Sequence, residues 1–124
     1  MEENSLRREV DRFILDLIDS VPHLEALLLL WNSRPKRWMI DELARALYIS
    51  NDRTREILLD LQQRDLVVVQ SEQCFYNTEY SRDALISEVD RIYRRELVRI
   101  STMIHSKASP SVREFARAFR FKKD

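Results

Sequence analysis

The chain has 124 residues, of which 44% are apolar and 34% charged, and its 21 basic side chains balance 21 acidic ones. This composition fits one ordinary folded domain over residues 1–124 and excludes both a disordered chain and a membrane protein. The absence of glycine excludes glycine-rich phosphate-binding loops. A lone cysteine, Cys74, excludes an intrachain disulfide and a cysteine metal cage.

The start of the chain and its apolar runs bear on where the protein resides. Met1–Asn4 is acidic and lacks the basic and apolar regions of a secretion signal. The longest nearly uncharged apolar run, Ala26–Trp31, is much shorter than the roughly 20 residues that a bilayer helix needs. We therefore expect a cytoplasmic protein without a membrane partner.

Two helices are predicted first. Residues 1–19 form the N-terminal helix, whose apolar side chains recur at spacings of three and four: Leu6, Val10, Phe13, Ile14 and Leu17. Ser20 caps a second helix with Pro22 in its first turn, and Leu24–Trp31 is apolar on almost every side, so this helix should be central. Arg34-Pro35 ends it.

The middle of the chain alternates short elements. Trp38 and Met39 predict a very short strand, followed by a helix over Asp41–Tyr48, a turn that ends at Ser50, and a helix over Asn51–Arg64. Two apolar strands, Leu66–Val69 and Cys74–Asn77, flank the polar stretch Gln70–Gln73 and predict a hairpin. Residues 20–78 thus predict a winged helix-turn-helix core, and the fold class is mainly α with a small β-hairpin wing and flanking N- and C-terminal helices.

The last part, residues 81–124, predicts a long helix over Ser81–Ser106, about 39 Å in length, and a short tail helix that begins at Pro110. The long helix carries an apolar seam that needs a helical partner: Ile86, Val89, Tyr93, Leu97, Ile100 and Ile104. That partner is either the first helix of the same chain or a second subunit. We favour a homodimer, because two-fold pairing is the commonest assembly.

The tail, residues 111–123, alternates aromatic and basic side chains. It carries Phe115, Phe119 and Phe121 with Arg113, Arg117, Arg120, Lys122 and Lys123. One interpretation is a packed closing helix with a solvated edge. The other is a surface for an acidic protein partner or for the N-terminal helix, since residues 1–33 carry seven acidic and three basic side chains.

The core resembles the winged-helix transcriptional regulators of bacteria, broadly the MarR-like group. The resemblance is carried by Ile40–Ser50 and then by Thr54, Arg55, Leu58, Leu61, Leu66 and Val67, and it spans roughly half the chain. It implies duplex-DNA binding and transcription regulation, with the second helix of the pair in the major groove. It also supports the homodimer, since flanking helices are the usual dimer-forming parts of such regulators.

The resemblance assigns DNA contacts to the presumed recognition helix. These are Asn51, Arg53, Thr54, Arg55, Gln62 and Gln63, although the spacing also places Thr54 on the inner face. The cluster Arg34, Lys36 and Arg37, next to Trp38, is expected to hold a phosphate; the alternative is a polar loop beside a buried tryptophan.

Several residues depart from the pattern of these regulators. Asp52, Glu56 and Leu59 share the outward side of the helix, and the wing Gln70–Gln73 has no Lys or Arg. Asp65 stands where a glycine cap is usual, and Met39 where a Ser or Thr cap is usual. Arg53 and Arg55 can instead pair within the helix. The competing hypothesis is therefore a winged helix that contacts a protein through Leu59 and does not bind DNA.

Catalytic and ligand sites are not indicated. No nucleophile with a base, carboxylate pair or metal constellation is visible, so we expect neither an enzyme nor a cofactor. His23 and His105 are interpreted as structural or surface residues, and Cys74 as a small buried side chain or, alternatively, a redox sensor. The resemblance allows a small effector between the core and the flanking helices, without naming its residues.

Overall fold

The computed structural model describes residues 2–79 and 82–108 of the chain. Within these ranges the chain forms helices and a small sheet, and the elements follow in the order α1 (Glu2–Leu17), α2 (Val21–Asn32), β1 (Trp38–Met39), α3 (Ile40–Leu47), α4 (Asn51–Gln63), β2 (Val67–Gln70), β3 (Gln73–Tyr76), α5 (Asp83–Arg95) and α6 (Leu97–Ala108). The predicted fold class, mainly α with a β-hairpin wing, is confirmed. None of the helices in these ranges combines the length and apolarity that a bilayer crossing requires.

Helix α2 is the centre of the packing, as its apolar sequence predicts. The Ser20 hydroxyl accepts a hydrogen bond from the His23 backbone N–H at 3.3 Å and so caps the helix. Leu24, Leu27 and Leu30 are fully buried, and α2 contacts α3, α4, α5, α6 and β3. Because one helix touches both the winged core and the C-terminal helices, these parts share a single apolar core.

The helix pair α3 and α4 forms as predicted, with a sharp turn between the two helices. Tyr48 ends α3 in the left-handed region at φ 59°, and the Ile49 N–H donates to the Ala44 carbonyl at 3.1 Å. Ile49 packs against the core, which fixes the angle at which the chain enters α4. Ser50 then caps α4 by accepting from the Arg53 N–H at 3.0 Å.

The wing is a three-stranded antiparallel sheet with strand order β1-β3-β2. Its strands reach Gln70 and Gln73, which pair with each other, so the turn contains only Ser71 and Glu72. The predicted loop Gln70–Gln73 is therefore too long. The hairpin closes in two residues without glycine because Ser71 takes the left-handed conformation at φ 57°. Asp65, which stands where a glycine cap is usual, takes the left-handed conformation of such a cap at φ 60°.

The prediction of one continuous helix over Ser81–Ser106 is wrong. The chain bends at Glu96, whose φ of −127° and ψ of 47° lie outside the helical region. Arg7 of α1 and Arg99 of α6 both donate to the Glu96 carboxylate, and these bonds lower its pKa to about 2. The bend allows both α5 and α6 to pack on α1. A straight helix of the same length would extend beyond the small core. The predicted tail helix lies outside the described residues.

Candidate nucleic-acid interface

The outward face of α4 is the surface that the helix pair presents. Thr54, Ile57, Leu58 and Leu61 are buried beneath it, and the packing of α4 against α2, α3 and β2 fixes its position. On the other side, Asn51 and Gln63 are exposed. This arrangement is what a recognition helix needs, since the buried side seats the helix and the free side can reach base edges.

Two predicted DNA-contacting residues of α4 are used within the fold. Thr54 is fully buried, and its hydroxyl donates to the Ser50 carbonyl at 2.8 Å. Its inclusion among the DNA-contacting residues was wrong, because a buried side chain cannot reach DNA. Gln62 accepts a hydrogen bond from the Val69 N–H and thereby joins α4 to β2. The sequence showed the inner position of Thr54 but gave no sign of the Gln62 bond, whose partner lies in the wing.

Both arginines of α4 form ion pairs with carboxylates of the same chain. Arg53 Nη1 lies 3.0 Å from Glu56 Oε2, one turn along the helix. Arg55 makes two bonds to the wing residue Glu72, of 3.1 and 2.8 Å. The Arg55 guanidinium holds the pKa of Glu72 below its ordinary value, and Glu72 raises the pKa of Arg55. We name this contact the α4–wing clamp; it joins the recognition helix to the wing turn.

An apolar patch lies beside the clamp. Leu59 is 54% exposed on the outward face of α4, as its sequence position predicts. It borders a cavity of about 140 Å³ that is also lined by the apolar side chains of Ile40, Leu58 and Val69 and by Arg55 and Ser71. The sequence did not reveal this cavity, because its walls come from two helices and a strand. The face thus combines two guanidinium groups that are paired with acids and one exposed leucine.

The cluster Arg34, Lys36 and Arg37 lies elsewhere. Its loop leads into β1, which forms one edge of the sheet. Helix α4 packs against β2, which forms the other edge. Phe75 and Tyr76 of β3 lie beside it. The structure therefore separates the predicted DNA-contacting residues into two surfaces. Trp38 is half-buried, and its Nε1–H donates to the Ser33 hydroxyl at 2.8 Å.

The predicted dimer seam on α5 and α6 is mostly covered within the single chain. Four of its residues are fully buried in the common core: Ile86, Val89, Ile100 and Ile104. The cover is α1, which contacts both helices; this is the alternative partner that the spacing allowed. These four side chains have no surface left for a second subunit. Tyr93 is half-buried and Leu97 exposed, and the neighbouring Val98 is 78% exposed.

One histidine and two carboxylates outside these surfaces are bound within the fold. His23 is almost fully buried, with Nδ1 at 2.6 Å from the Ser20 hydroxyl and Nε2 at 2.8 Å from Asp60. Asp19 completes a group whose ligand atoms lie within 4.8 Å of one another and could hold a metal ion. Arg64 already donates to Asp19 at 3.1 Å, so each member has a protein partner and the group acts as a brace between α2 and α4.

Cys74 is fully buried in β3, as the strand position predicts. Burial raises the pKa of its thiol to about 11, and the charge of Glu42 adds to the shift. A thiol is reactive as the thiolate. Cys74 therefore serves as a small apolar side chain, in agreement with the first of the two interpretations of its sequence context.

Neither a protein-family model nor a curated protein sequence matches the chain, but solved structures do. The MarR-family protein Rv2887 of Mycobacterium tuberculosis has a TM-score of 0.55 and 20% identity over 98% of this chain and 88% of its own. MepR, a transcription regulator of the Staphylococcus aureus multidrug efflux pump MepA, has a TM-score of 0.51 and 15% identity over 99% of this chain and 91% of its own. The adhesin competence repressor AdcR of Streptococcus pyogenes has a TM-score of 0.51 and 18% identity over 97% of this chain and 90% of its own.

These likenesses extend over nearly the whole chain and include the flanking helices as well as the winged core. One further structure of this group, a mutant MepR with a TM-score of 0.52 and 15% identity, is bound to an oligodeoxyribonucleotide. The order of helices and the three-stranded wing are the features that the chain has in common with them. The chain therefore has the winged helix-turn-helix fold of MarR-type transcription regulators.

Proposed function

We propose that the protein binds duplex DNA and regulates transcription, with α4 in the major groove and the wing turn near the backbone. The observation that carries the proposal is the outward face of α4, which is held at the surface by a buried inner side. Asn51, Arg55 and Gln63 lie on it with exposed side chains. An arginine fork fits the acceptor pair of guanine, and Asn or Gln fits adenine. The oligonucleotide bound to mutant MepR supports this use of the fold.

The acidic partners of Arg53 and Arg55 set the strength of such binding. Both pairs are exposed to solvent, and exposed pairs contribute little to stability, so acceptor groups of the DNA can replace the carboxylates. The exchange releases few counterions, because each phosphate gained leaves a carboxylate unpaired. Non-specific affinity should therefore be low, and specificity should come from base contacts of Asn51 and Arg55.

A homodimer is the second element of the proposal. The accessible part of the predicted seam is Tyr93 and Leu97, and Val98 extends it as an apolar patch at the bend between α5 and α6. Two-fold pairing through this patch would present two copies of α4 to two half-sites one or more helical turns apart.

Sedimentation velocity tests the homodimer. Leu97→Asp with Val98→Asp should yield monomers, whereas Leu15→Asp, an exposed position on α1, should not. A wild-type monomer at all concentrations would reject the dimer.

DNA binding is tested by selection from a random duplex pool, followed by fluorescence anisotropy on the enriched sequence at low salt. Arg55→Gln and Asn51→Ala should each weaken binding by about tenfold or more, as expected for the loss of a bidentate base contact. Arg8→Gln is the matched control, since Arg8 is exposed on α1. The proposal fails if no sequence is enriched, or if both α4 variants bind as tightly as the control.

Protein recognition is the second candidate function. It is favoured by the exposed Leu59 and the cavity beside it, which together can receive an apolar side chain of a partner. In a pull-down at high salt, a specific partner should be retained by the wild-type protein and lost with Leu59→Asp. Retention by that variant would reject this surface. Salt separates the two functions, because apolar contact persists where phosphate contact weakens.

A further inference from the structure

Three cationic side chains surround one cavity at the base of the wing. The cavity has a volume of about 260 Å³ and lies between the loop that precedes β1 and the end of β3. Its walls are formed by Arg34, Pro35, Lys36, Arg37, Phe75, Tyr76 and Thr78. None of these lining residues is acidic, so the cavity wall carries three positive charges in a chain whose overall charge is zero. We name it the wing-base pocket.

Each cation lies over an aromatic ring. The Arg34 guanidinium is 4.3 Å from the Trp31 ring centre and 5.7 Å from that of Tyr76. The distance is 3.9 Å from Lys36 Nζ to the Trp38 ring centre, and 4.3 Å from the Arg37 guanidinium to the Phe75 ring centre. Such contacts restrict long side chains that would otherwise move freely. The pocket therefore holds its charges in place before a ligand arrives, which lowers the entropy cost of binding.

Among the residues that the structure describes, the hydrogen bonds of these cations leave donors unused. Arg34 pairs with Asp83 at 2.9 Å and Lys36 with Glu42 at 2.8 Å, but neither carboxylate belongs to the cavity wall. Arg37 donates one long bond of 3.5 Å to the amide oxygen of Gln70. A guanidinium has five N–H donors in a fixed fork. Arg37 thus retains most of its donors for a ligand, and the two exposed pairs are weak enough to be shared with it.

We propose that the wing-base pocket binds a phosphate group. Two guanidinium groups and one ammonium group can neutralise a multiply charged anion, and the planar arginine fork matches phosphate oxygens. The phosphate belongs either to a small phosphorylated molecule or to the backbone of DNA. The pocket lies at the edge of the sheet away from α4. Its binding of free phosphate therefore does not depend on the DNA-reading role proposed for α4.

The test uses the full chain and two anions. Inorganic phosphate is titrated while backbone and arginine side-chain NMR signals are followed, and acetate at equal ionic strength is the anion control. Wild type should show saturable shifts at the pocket with phosphate and not with acetate. Arg37→Gln and Lys36→Gln should each weaken phosphate binding about tenfold. Arg45→Gln, the same change at a residue 78% exposed on α3, should leave it unchanged.

A parallel titration with the selected DNA duplex separates the two sources of phosphate. The DNA backbone is the source of the phosphate if duplex and inorganic phosphate compete for the pocket and Arg37→Gln reduces the affinity for the duplex. Saturable phosphate binding without an effect of Arg37→Gln on the duplex identifies a small phosphorylated molecule. The proposal is overturned if acetate binds as well as phosphate, or if Arg37→Gln, Lys36→Gln and Arg45→Gln are indistinguishable. Arg55→Gln distinguishes binding at the wing-base pocket from binding at α4, because this variant should leave phosphate binding intact.

Discussion

The α4–wing clamp makes a specific prediction about DNA affinity. Arg55 donates two hydrogen bonds to Glu72, and the side chains of both residues are about half exposed. Glu72→Gln removes the negative charge while keeping a side chain of the same size. Arg55 then becomes available to DNA, and a carboxylate no longer lies next to the phosphate backbone. We expect the affinity for the selected duplex to rise.

The magnitude follows from the exposure of the pair. Solvent-exposed ion pairs are weak, so release of Arg55 should increase affinity by about three- to fivefold at low salt. Because Glu72→Gln removes one negative charge next to the phosphate backbone, the slope of log affinity against log salt should steepen, by at most about 0.9. Thermal unfolding should change little, because Glu72 lies in an exposed turn. The measurement is fluorescence anisotropy over about 50 to 200 mM salt.

Two controls decide whether Arg55 is responsible. Glu9→Gln makes the same charge change at an exposed position of α1 and should leave affinity unchanged. In an Arg55→Gln background, Glu72→Gln should lose its effect, as a double-mutant cycle requires for two directly coupled residues. An unchanged or lower affinity of Glu72→Gln would refute the reasoning, since the clamp would then be part of the DNA-binding conformation.

Three further predictions concern single residues. Thr54→Val should reduce stability by about 1 kcal/mol in urea unfolding, through loss of the hydroxyl bond, without changing DNA affinity; a tenfold loss of affinity by the folded variant would contradict the buried position. Cys74 should resist a thiol reagent at about pH 8 in the folded protein and react after unfolding, since its pKa is about 11; fast reaction of the folded protein would contradict this. Because the pKa of Glu96 falls from 4.5 to about 2 on folding, its stabilising effect is complete above pH 4.5 and is lost as the pH falls towards 2. Glu96→Gln should therefore lower the urea midpoint at neutral pH, and the difference from wild type should shrink below about pH 4.5; a difference independent of pH would exclude this carboxylate.

Local sequence determined the helices and strands. The apolar stripe of α1, the Ser20 and Ser50 caps and the β-branched run of β2 each act over a few residues, and all of these elements form where predicted. Ile49 also predicts the turn between α3 and α4. Such signals can be recognised in the sequence because helix and strand periods repeat within three or four residues. The same reasoning identified the exposed Leu59 and the buried Cys74 correctly.

Contacts between distant parts of the chain decided the rest. Arg7, which lies 89 residues away in the sequence, donates to the Glu96 carboxylate at the bend. The two helices on either side of the bend pack on α1 instead of forming the predicted intermolecular seam. Glu72 meets Arg55 only because a two-residue turn brings the wing beside α4. Arg34, Lys36 and Arg37 form a pocket only because β1 pairs with β3. Sequence fixes the local periodicity, but which charges and rings meet depends on how the elements pack, and that is a property of the tertiary structure.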